Sequence, residues 1–283
     1  MTDRDAPAPD RAALNRAYWD SLAEVHGNGD DAYYDVPALL AGRSTLTEVE
    51  DRAVRDAIGD VADRDVLHVQ CHIGFDAITL ARRGARVTGV DLSPASLAKA
   101  VTLAERCGVD VAFVPGDSTD LPAGLHGRFD LAYATIGVIC WIDDMDAWMR
   151  SVARCLRPGG RLVLVDLHPM LVMFDTLDPP VIAWPYTDTR PFVEEEQGSY
   201  ANGEARLSAS VSVSYAHGIG DLAGAALRAG LTLTGLEEHT SLEFDPMPGR
   251  TFFTREDDGR YRARSGGWPL PLMFTLLAAK PGG

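Results

Sequence analysis

The amino-acid sequence predicts an α/β protein whose core is a largely parallel β-sheet flanked by helices. The stretch 66–91, VLHVQCHIGFDAITLARRGARVTGVD, shows an apolar strand, a turn containing Gly74, an apolar-periodic helix and a second strand that ends at Asp91. Apolar strands and helical patterns then alternate as far as residue 168, which is typical of parallel βαβ units. The 283 residues, 46% hydrophobic and 24% charged, are sufficient for one large domain with an insertion.

The first β-turn-α-β unit predicts a cofactor that contains a nucleoside. In such units the ligand lies across the carboxyl ends of the strands, and an acid about 20 residues beyond the turn suits the ribose hydroxyls. A pyrophosphate needs a glycine-rich turn and a bare helix N-terminus. Here residues 70–76 read Gln-Cys-His-Ile-Gly-Phe-Asp, with one glycine and a carboxylate at Asp76. A cofactor without phosphates fits this turn better, and S-adenosylmethionine is the expected one.

From about residue 60 to 168, with weaker support to the end, the chain resembles the class I S-adenosylmethionine-dependent methyltransferases. The first loop keeps the last family glycine as Gly74 and has His68, Gln70 and His72 where the family usually has an acid and glycines. Leu-Arg-Pro-Gly-Gly before the fifth strand is also frequent in the family. The variant LHVQCHIGFD is similar to a bacterial subgroup whose loop reads Leu-x-Gln-Cys-His-x-Gly.

The resemblance implies a Rossmann-like, doubly wound sheet of seven strands with the last one antiparallel. It also implies S-adenosyl-L-methionine as cofactor and S-adenosyl-L-homocysteine as product. Asp91 is expected to bind the ribose, Asp117 the adenine amino group, and the backbone N–H of Ser118 a ring nitrogen. From composition alone, Asp117 in Gly-Asp-Ser would be a turn former. The predicted cofactor-binding residues are Gln70, Cys71, His72, Gly74, Asp91, Leu92, Asp117, Ser118, Thr135 and Tyr18.

The chain divides into four predicted regions. They are a tail and helical cap (1–60), a cofactor-binding core (61–168), an inserted lid over the substrate pocket (169–217) and a part that completes the sheet (218–283). The lid is predicted from clustered prolines, the acidic run 194–196 and an alternating strand at 205–215. In the first region we expect a disordered tail at 1–10, and helices at 11–25 and 45–58, the second capped by Ser44 or Thr45.

Aromatic residues and histidines supply the candidates for the substrate pocket. Trp141 follows the fourth strand, and an aromatic face can attract a sulfonium as it does other cations, although a tryptophan there can equally be core. The aromatic residues of the N-terminal region can cap the pocket or simply pack on the sheet. The predicted substrate-binding residues are Tyr34, Trp141, Tyr200 and His239.

Methyl transfer from a sulfonium is an in-line displacement that depends mainly on holding the reactants together and excluding water. A base is needed only when the acceptor carries a proton, and histidine suits that role near neutral pH. His168, at the end of the fifth strand, is the first candidate, His217 the second and His239 the third; a structural histidine is the alternative for each. No metal is expected, because His68 and His72 would stand roughly 13 Å apart along a strand.

Charge and hydropathy exclude several classes of partner. The net charge is −15 with a pI near 4.8, and no Lys/Arg cluster is present, which disfavours nucleic acid. No apolar run reaches the roughly 20 residues that span a bilayer, and the N-terminus is polar. We therefore expect a cytoplasmic monomer or homodimer whose four cysteines are reduced and mostly buried.

The predicted function is methyl transfer from S-adenosylmethionine to oxygen, nitrogen or carbon of a small molecule. A nucleophilic hydrolase is disfavoured because no G-x-S-x-G motif occurs. A nucleotide-dependent oxidoreductase or epimerase would need a glycine-rich first turn. A protein that binds S-adenosylmethionine without transferring methyl, as a sensor or a rearrangement catalyst, stays open because it would share every cofactor feature.

Overall fold

The computed structural model describes residues 10–29, 33–177, 179–196, 198–247 and 251–282. The predicted tail lies outside these ranges except for Asp10. Within the ranges the helices are α1 (Arg11–Val25), α2 (Val36–Leu40), α3 (Glu48–Ile58), α4 (Phe75–Arg82), α5 (Pro94–Cys107), α6 (Met145–Cys155), α7 (Pro169–Val172) and α8 (Ile219–Arg228). The strands are β1 (Asp65–Val69), β2 (Arg86–Asp91), β3 (Val111–Pro115), β4 (Phe129–Thr135), β5 (Leu156–Leu167), β6 (Phe174–Leu177), β7 (Pro180–Ile182), β8 (Asp188–Glu195), β9 (Val211–Ala216), β10 (Thr232–His239), β11 (Phe253–Arg255), β12 (Tyr261–Ser265), β13 (Trp268–Pro269) and β14 (Met273–Ala279).

Seven strands form the central sheet in the order β10-β14-β5-β4-β1-β2-β3. The pairs β1–β2, β1–β4, β2–β3 and β4–β5 are parallel. Strand β14 runs antiparallel to both β5 and β10. The predicted doubly wound sheet with an antiparallel last strand is therefore confirmed. The chain order reverses between β1 and β4, and in open α/β sheets the ligand crevice lies at such a switch point, outside the carboxyl ends of the strands.

Both faces of the sheet are covered, as the nearly continuous apolar strands require. Successive side chains of β1 point to opposite faces. Val66 belongs to an apolar cluster with residues of α3 and α4, and Leu67 to a second cluster with residues of α6 and α8. Trp148 of α6 and Tyr133 of β4 are among the largest fully buried side chains.

Local sequence signals explain most helix starts. Ser93 caps α5, its hydroxyl accepting from Ser96 N, with Pro94 in the first turn as predicted. The predicted start of the second long helix was wrong, because α3 begins at Glu48 and its N-cap is Thr47, which forms a capping box with Glu50. Thr45 instead donates its hydroxyl to Asp76 Oδ1 at 2.5 Å.

The C-terminal half of the first helix is fixed to α5. Asp20 Oδ1 accepts from Ser93 Oγ at 2.5 Å and from Ala95 N at 3.1 Å, so its carboxylate sits at the α5 N-terminus, where the helix dipole favours negative charge. Near the α1 C-terminus, Lys99 Nζ donates to Ala23 O at 3.0 Å. These contacts place α1 beside the carboxyl end of β2.

The inserted segment (residues 169–217) carries two small antiparallel pairs, β6 with β7 and β8 with β9. The strand predicted at 205–215 is wrong in its first half, since β9 spans only Val211–Ala216. The preceding backbone has other partners: Ala205 N bonds Asn202 O in a turn, and Ala209 O accepts from the Ser21 hydroxyl of α1. Asn15 of α1 exchanges two 2.8 Å bonds with the backbone of Val213 and so docks β9 on α1.

All four cysteines lie in described residues and are unpaired; Cys71 and Cys155 are buried, and Cys107 and Cys140 are half-buried. No helix in the described ranges is both long enough and apolar enough to cross a membrane.

Substitution of Gly74 tests whether the turn before α4 requires a glycine. Its φ is +80°, and a Cβ there would lie 2.9 Å from both Ala100 Cβ and Phe113 Cζ. We expect Gly74→Ala to lower the free energy of unfolding by roughly 2–5 kcal/mol, from backbone strain plus overpacking. The control is Gly108→Ala, at φ +66° with open space around it; it should cost only about 1–2 kcal/mol. Equal losses in urea denaturation would contradict the packing argument.

Candidate active site

The first loop (residues 70–74) joins β1 to α4 at the switch point. Gln70 has φ +58° and His72 φ +45°, values that a residue with a side chain rarely adopts. Each such residue costs about 1–2 kcal/mol unless its surroundings hold it there. At Gln70 and His72 the loop therefore has the backbone conformation of glycine without the glycine residue, in addition to Gly74 itself.

Side-chain hydrogen bonds hold both strained residues. The Gln70 amide accepts from Trp148 Nε1 at 2.9 Å and donates to Val138 O at 3.2 Å. The His72 ring contacts Ser96 Oγ through Nδ1 at 2.9 Å and His26 through Nε2 at 2.8 Å. Since both side chains are engaged by neighbouring elements, the groups that this loop offers a ligand are those of its backbone.

Asp91, at the end of β2, is a buried carboxylate held by backbone amides. Oδ1 accepts from Ser93 N at 2.9 Å and Oδ2 from His72 N at 2.8 Å. Burial raises the pKa of Asp91 to about 6, although those amide hydrogen bonds oppose the shift. The Leu92 amide also bonds this carboxylate. A carboxylate has about four acceptor positions, so it keeps acceptor capacity for ribose hydroxyls beyond these amide bonds. The donor set thus fits the ribose of the cofactor.

Leu92, Asp117 and Ser118 lie beside Asp91, because β2 and β3 end in register, with Asp91 opposite Pro115. Gly116 N donates to Asp91 O at 3.0 Å. Asp117 is exposed, and its Oδ1 accepts from Thr119 N and Oγ1 at 2.8 and 2.7 Å. Its Oδ2 has no partner within the described ranges, so Asp117 combines a turn-forming role with a free acceptor.

The loop after β4 (residues 136–143) is fixed by Asp166, a residue for which the sequence predicted no role in the site. Asp166 is 1% exposed. It accepts from Gly137 N at 2.5 Å, Val138 N at 2.9 Å and Ile139 N at 3.0 Å. Burial raises the pKa of its carboxyl, and the amides oppose the shift. The loop that carries Trp141 is therefore held from below by a buried acid.

A second group of polar side chains is buried near the carboxyl ends of the strands, between α3, α4 and β4. Glu50 accepts from Tyr133 Oη at 3.1 Å and from the Thr135 hydroxyl. Asp76 accepts from Thr45 Oγ1 at 2.5 Å, and its Oδ2 lies 3.4 Å from Tyr133 Oη. Burial, reinforced by Glu50, raises the pKa of Asp76 to about 7, and burial also raises that of Glu50. The Thr135 side chain, predicted to touch cofactor, is thus bound to Glu50.

His68 lies on the same face, with its ring centroid 5.1 Å from that of Tyr133. Burial lowers the pKa of His68 to about 3, so the ring is neutral, and its Nδ1 has no hydrogen-bond partner in the described part of the chain. Nowhere in those residues do three or more His, Cys, Asp or Glu side chains come close enough to hold a metal ion.

Aromatic side chains from distant parts of the chain meet above the first loop. The Trp19 ring centroid lies 5.3 Å from that of Trp141, and the Tyr18 centroid 5.7 Å from it. Tyr34 Oη and Tyr200 Oη are 2.5 Å apart. The structure thus brings together Tyr18, Trp141, Tyr34 and Tyr200. Arg43, also in the N-terminal region, forms an exposed ion pair with Asp35.

The three candidate bases differ in what their ring nitrogens bind. His168 accepts from Met170 N through Nδ1 at 3.1 Å, as the N-cap of α7, and contacts Glu238 Oε1 through Nε2 at 2.7 Å. His239 contacts Thr275 Oγ1 at 2.8 Å and Arg52 at 3.4 Å. A base role for either would require one of these bonds to break.

The remaining candidate, His217, binds a backbone carbonyl through one ring nitrogen. Its Nε2 lies 2.6 Å from Ile142 O, a carbonyl that can only accept, so the proton is on Nε2 and the Nδ1 lone pair is free. In the ranges that the structure describes, Nδ1 has no partner. The ring is half-buried beside the loop that carries Trp141.

These features define an α/β protein that binds a nucleoside cofactor at the switch point of a doubly wound sheet. Residues 66–160 match the family described as a methyltransferase domain. An uncharacterized methyltransferase from Synechocystis sp., sll0829, is 32% identical over 178 residues, which cover 59% of this chain and 73% of that protein. The chain therefore belongs to the class I S-adenosylmethionine-dependent methyltransferases.

Two further comparisons bear on the family. O-methyltransferase resE from Aspergillus sclerotiorum is 30% identical over 165 residues, 56% of this chain, and the chain spans less than two thirds, 61%, of that enzyme's length. The crystal structure of geranyl diphosphate C-methyltransferase from Streptomyces coelicolor A3(2), in complex with S-adenosyl-L-homocysteine, gives a TM-score of 0.57 at 17% identity, over 97% of this chain and 99% of that one. At 17% sequence identity this similarity supports a shared fold and nothing further.

The raised pKa of Asp76 gives stability a defined dependence on pH. Below the unfolded value of 3.8 the carboxyl is protonated in both states; between 3.8 and about 7 only the unfolded state loses its proton, so wild-type stability falls as pH rises. We expect the stability of Asp76→Asn, relative to wild type, to increase by on the order of 1–3 kcal/mol from pH 4 to pH 8. Asp110→Asn, at an exposed carboxylate, should show no such trend in urea titrations. A pH-independent difference for Asp76→Asn would contradict the assignment.

Proposed function

We propose that this protein transfers the methyl group of S-adenosylmethionine to a hydroxyl oxygen of a small, largely apolar acceptor. The observation that carries the proposal is Asp91, a buried carboxylate at the end of β2 with acceptor capacity left for ribose hydroxyls. It lies beside a first loop in which the Gln70 and His72 side chains are bound by other elements. The sulfonium cofactor supplies an activated methyl group; the chain's residues bind, orient and exclude water.

The cofactor would lie across the carboxyl ends of β1, β2 and β3. Asp91 would accept from the two ribose hydroxyls, Leu92 would cover one face of the adenine, and Asp117 Oδ2 and Ser118 N would bind its edge. Backbone groups of Gln70, Cys71 and His72 would face the methionine part. Tyr18 would approach the sulfonium with an aromatic face, an interaction worth about 0.5–2 kcal/mol.

The acceptor would lie above the loop after β4, against Trp141, Tyr34 and Tyr200. These aromatic surfaces favour a flat, apolar molecule such as a phenol or an enol. His217 stands beside this loop with Nδ1 free, and could take the hydroxyl proton as the oxygen attacks. The names of relatives such as the Aspergillus O-methyltransferase support oxygen as the acceptor atom.

We assign further roles on the same basis. Residues 1–60 would cap the cofactor and the inserted segment would serve as the lid, supported by the contacts of α1 with α5 and β9. His239 would line the outer part of the pocket, and His168 would act in it only after releasing Glu238. The Leu-x-Gln-Cys-His-x-Gly loop would mark the subgroup, because Gln70 and His72 have specific partners of their own.

The first experiment is calorimetric titration with S-adenosylhomocysteine and, separately, with NAD. Micromolar binding of the first and none of the second supports the proposal; the reverse result would return the protein to the oxidoreductase hypothesis. Incubation with methyl-labelled S-adenosylmethionine and a panel of phenols, followed by mass spectrometry, then distinguishes methyl transfer from binding alone.

Asp91 should dominate ribose recognition. We expect Asp91→Asn, which keeps the shape and loses the charge and one acceptor, to weaken S-adenosylhomocysteine binding by about tenfold or more, equivalent to about 1.4 kcal/mol. Asp110→Asn, at an exposed carboxylate immediately before the start of β3, is the matched control. Unchanged affinity in Asp91→Asn would remove the central support of the proposal.

His217 should affect turnover without affecting cofactor binding. With a phenolic acceptor, we expect His217→Ala to lower kcat by about 100-fold, the low end for loss of a general base, with S-adenosylhomocysteine affinity within about twofold. His126→Ala, at an exposed histidine before β4, serves as control. Normal turnover in His217→Ala would assign the ring a structural role.

A further inference from the structure

A continuous chain of three hydrogen bonds joins the inserted segment to the first loop. Ser199 Oγ lies 2.6 Å from His26 Nε2, His26 Nδ1 lies 2.8 Å from His72 Nε2, and His72 Nδ1 lies 2.9 Å from Ser96 Oγ. His26 is the C-cap of α1 and Ser96 belongs to α5. His26, Ser96 and Ser199 are buried, and His72 is half-buried.

The donors in this series of hydrogen bonds must all be oriented in the same direction. Two imidazole nitrogens 2.8 Å apart need one donor and one acceptor, so the tautomer of His26 sets that of His72 and the hydroxyl directions of both serines. Burial and the nearby Lys99 lower the pKa of both histidines, that of His26 to about 3, so both rings are neutral. Such linked bonds strengthen one another, and losing one weakens the others.

Aromatic rings enclose the histidine pair. Tyr34 stacks on His26 at 4.7 Å between centroids, Tyr200 meets it edge-on at 4.8 Å, and Trp19 meets His72 at 5.0 Å. Water therefore has little access to the two rings. Movement of Ser199 and Tyr200 away from α1 would break one hydrogen bond and one ring contact of the pair, both at His26.

His72 is also the residue that donates its backbone N–H to Asp91. The position of the inserted segment is thereby coupled, through two side chains, to the carboxylate assigned to the ribose. We propose that His26 and Ser199 are positioning residues which, through His72, hold the first loop and the inserted segment closed around bound cofactor and slow its release. The inference rests on the proposed function and adds the device that retains the cofactor.

The test measures association and release of S-adenosylhomocysteine by stopped-flow intrinsic tryptophan fluorescence, since Trp19 contacts His72. We expect His26→Ala and Ser199→Ala to speed release at least fivefold, with the association rate within twofold of wild type. The double variant should release S-adenosylhomocysteine no faster than His26→Ala alone, because His26→Ala already interrupts the series of hydrogen bonds. His26→Gln, which keeps one hydrogen-bonding group to each side, should restore part of the slow release.

The matched control is Asn15→Ala, which removes two hydrogen bonds between α1 and the inserted segment without touching the first loop. It should lower thermal stability and leave release within twofold of wild type. His72→Gly, which relieves the strain at φ +45° and deletes the ring, should release as fast as His26→Ala. Slow, wild-type release in both His26→Ala and Ser199→Ala, or equal acceleration in Asn15→Ala, would overturn the proposal. No binding by wild type would instead refute the proposed function.

Discussion

The hydrogen bond from His72 N to Asp91 Oδ2 is the contact on which the site depends. It ties the first loop to the end of β2, at a residue whose φ is +45°. The same carboxylate accepts from Ser93 N, immediately before α5. One buried acid thus sets the relative positions of two loops and one helix, and α1 is placed in turn because Asp20 binds the start of that helix.

The buried acids near the carboxyl ends of the strands are stabilised in two different ways. Asp91 and Asp166 accept from backbone amides, which are fixed dipoles and favour the ionised form while fixing a loop. Glu50 and Asp76 accept mainly from the hydroxyls of Thr45, Tyr133 and Thr135, a weaker compensation for two adjacent carboxyls. Burial raises the pKa of all four acids, to about 6 for Asp91 and to about 7 for Asp76. Loop geometry is therefore held by the amide-bound acids, whereas the hydroxyl-bound pair can keep a proton.

The fold could be predicted because its signals are local: Ser93-Pro94 starts α5, and apolar runs end at Asp91 and Thr135. The missed residues act over long separations. His26 meets Ser199 across 173 positions, and Asp166 binds the amide of Gly137 across 29. A histidine after an amphipathic helix and an acid ending a strand are ordinary patterns, so nothing near them in sequence indicates those roles. The α3 cap was misplaced for a related reason, since Thr45 is used by a tertiary contact to Asp76.

Gln70 and His72 explain how this loop keeps glycine-like geometry at two positions that are not glycine. A glycine turn needs no support from its neighbours, since φ > 0 carries no penalty. Here the strain is offset by bonds to Trp148, Val138, Ser96 and His26, which come from four other elements. The loop conformation consequently depends on α1 and α6 being in place, and through His26 on the inserted segment as well. Replacing glycines with anchored side chains thus converts an autonomous turn into one that responds to the parts of the protein that cover it.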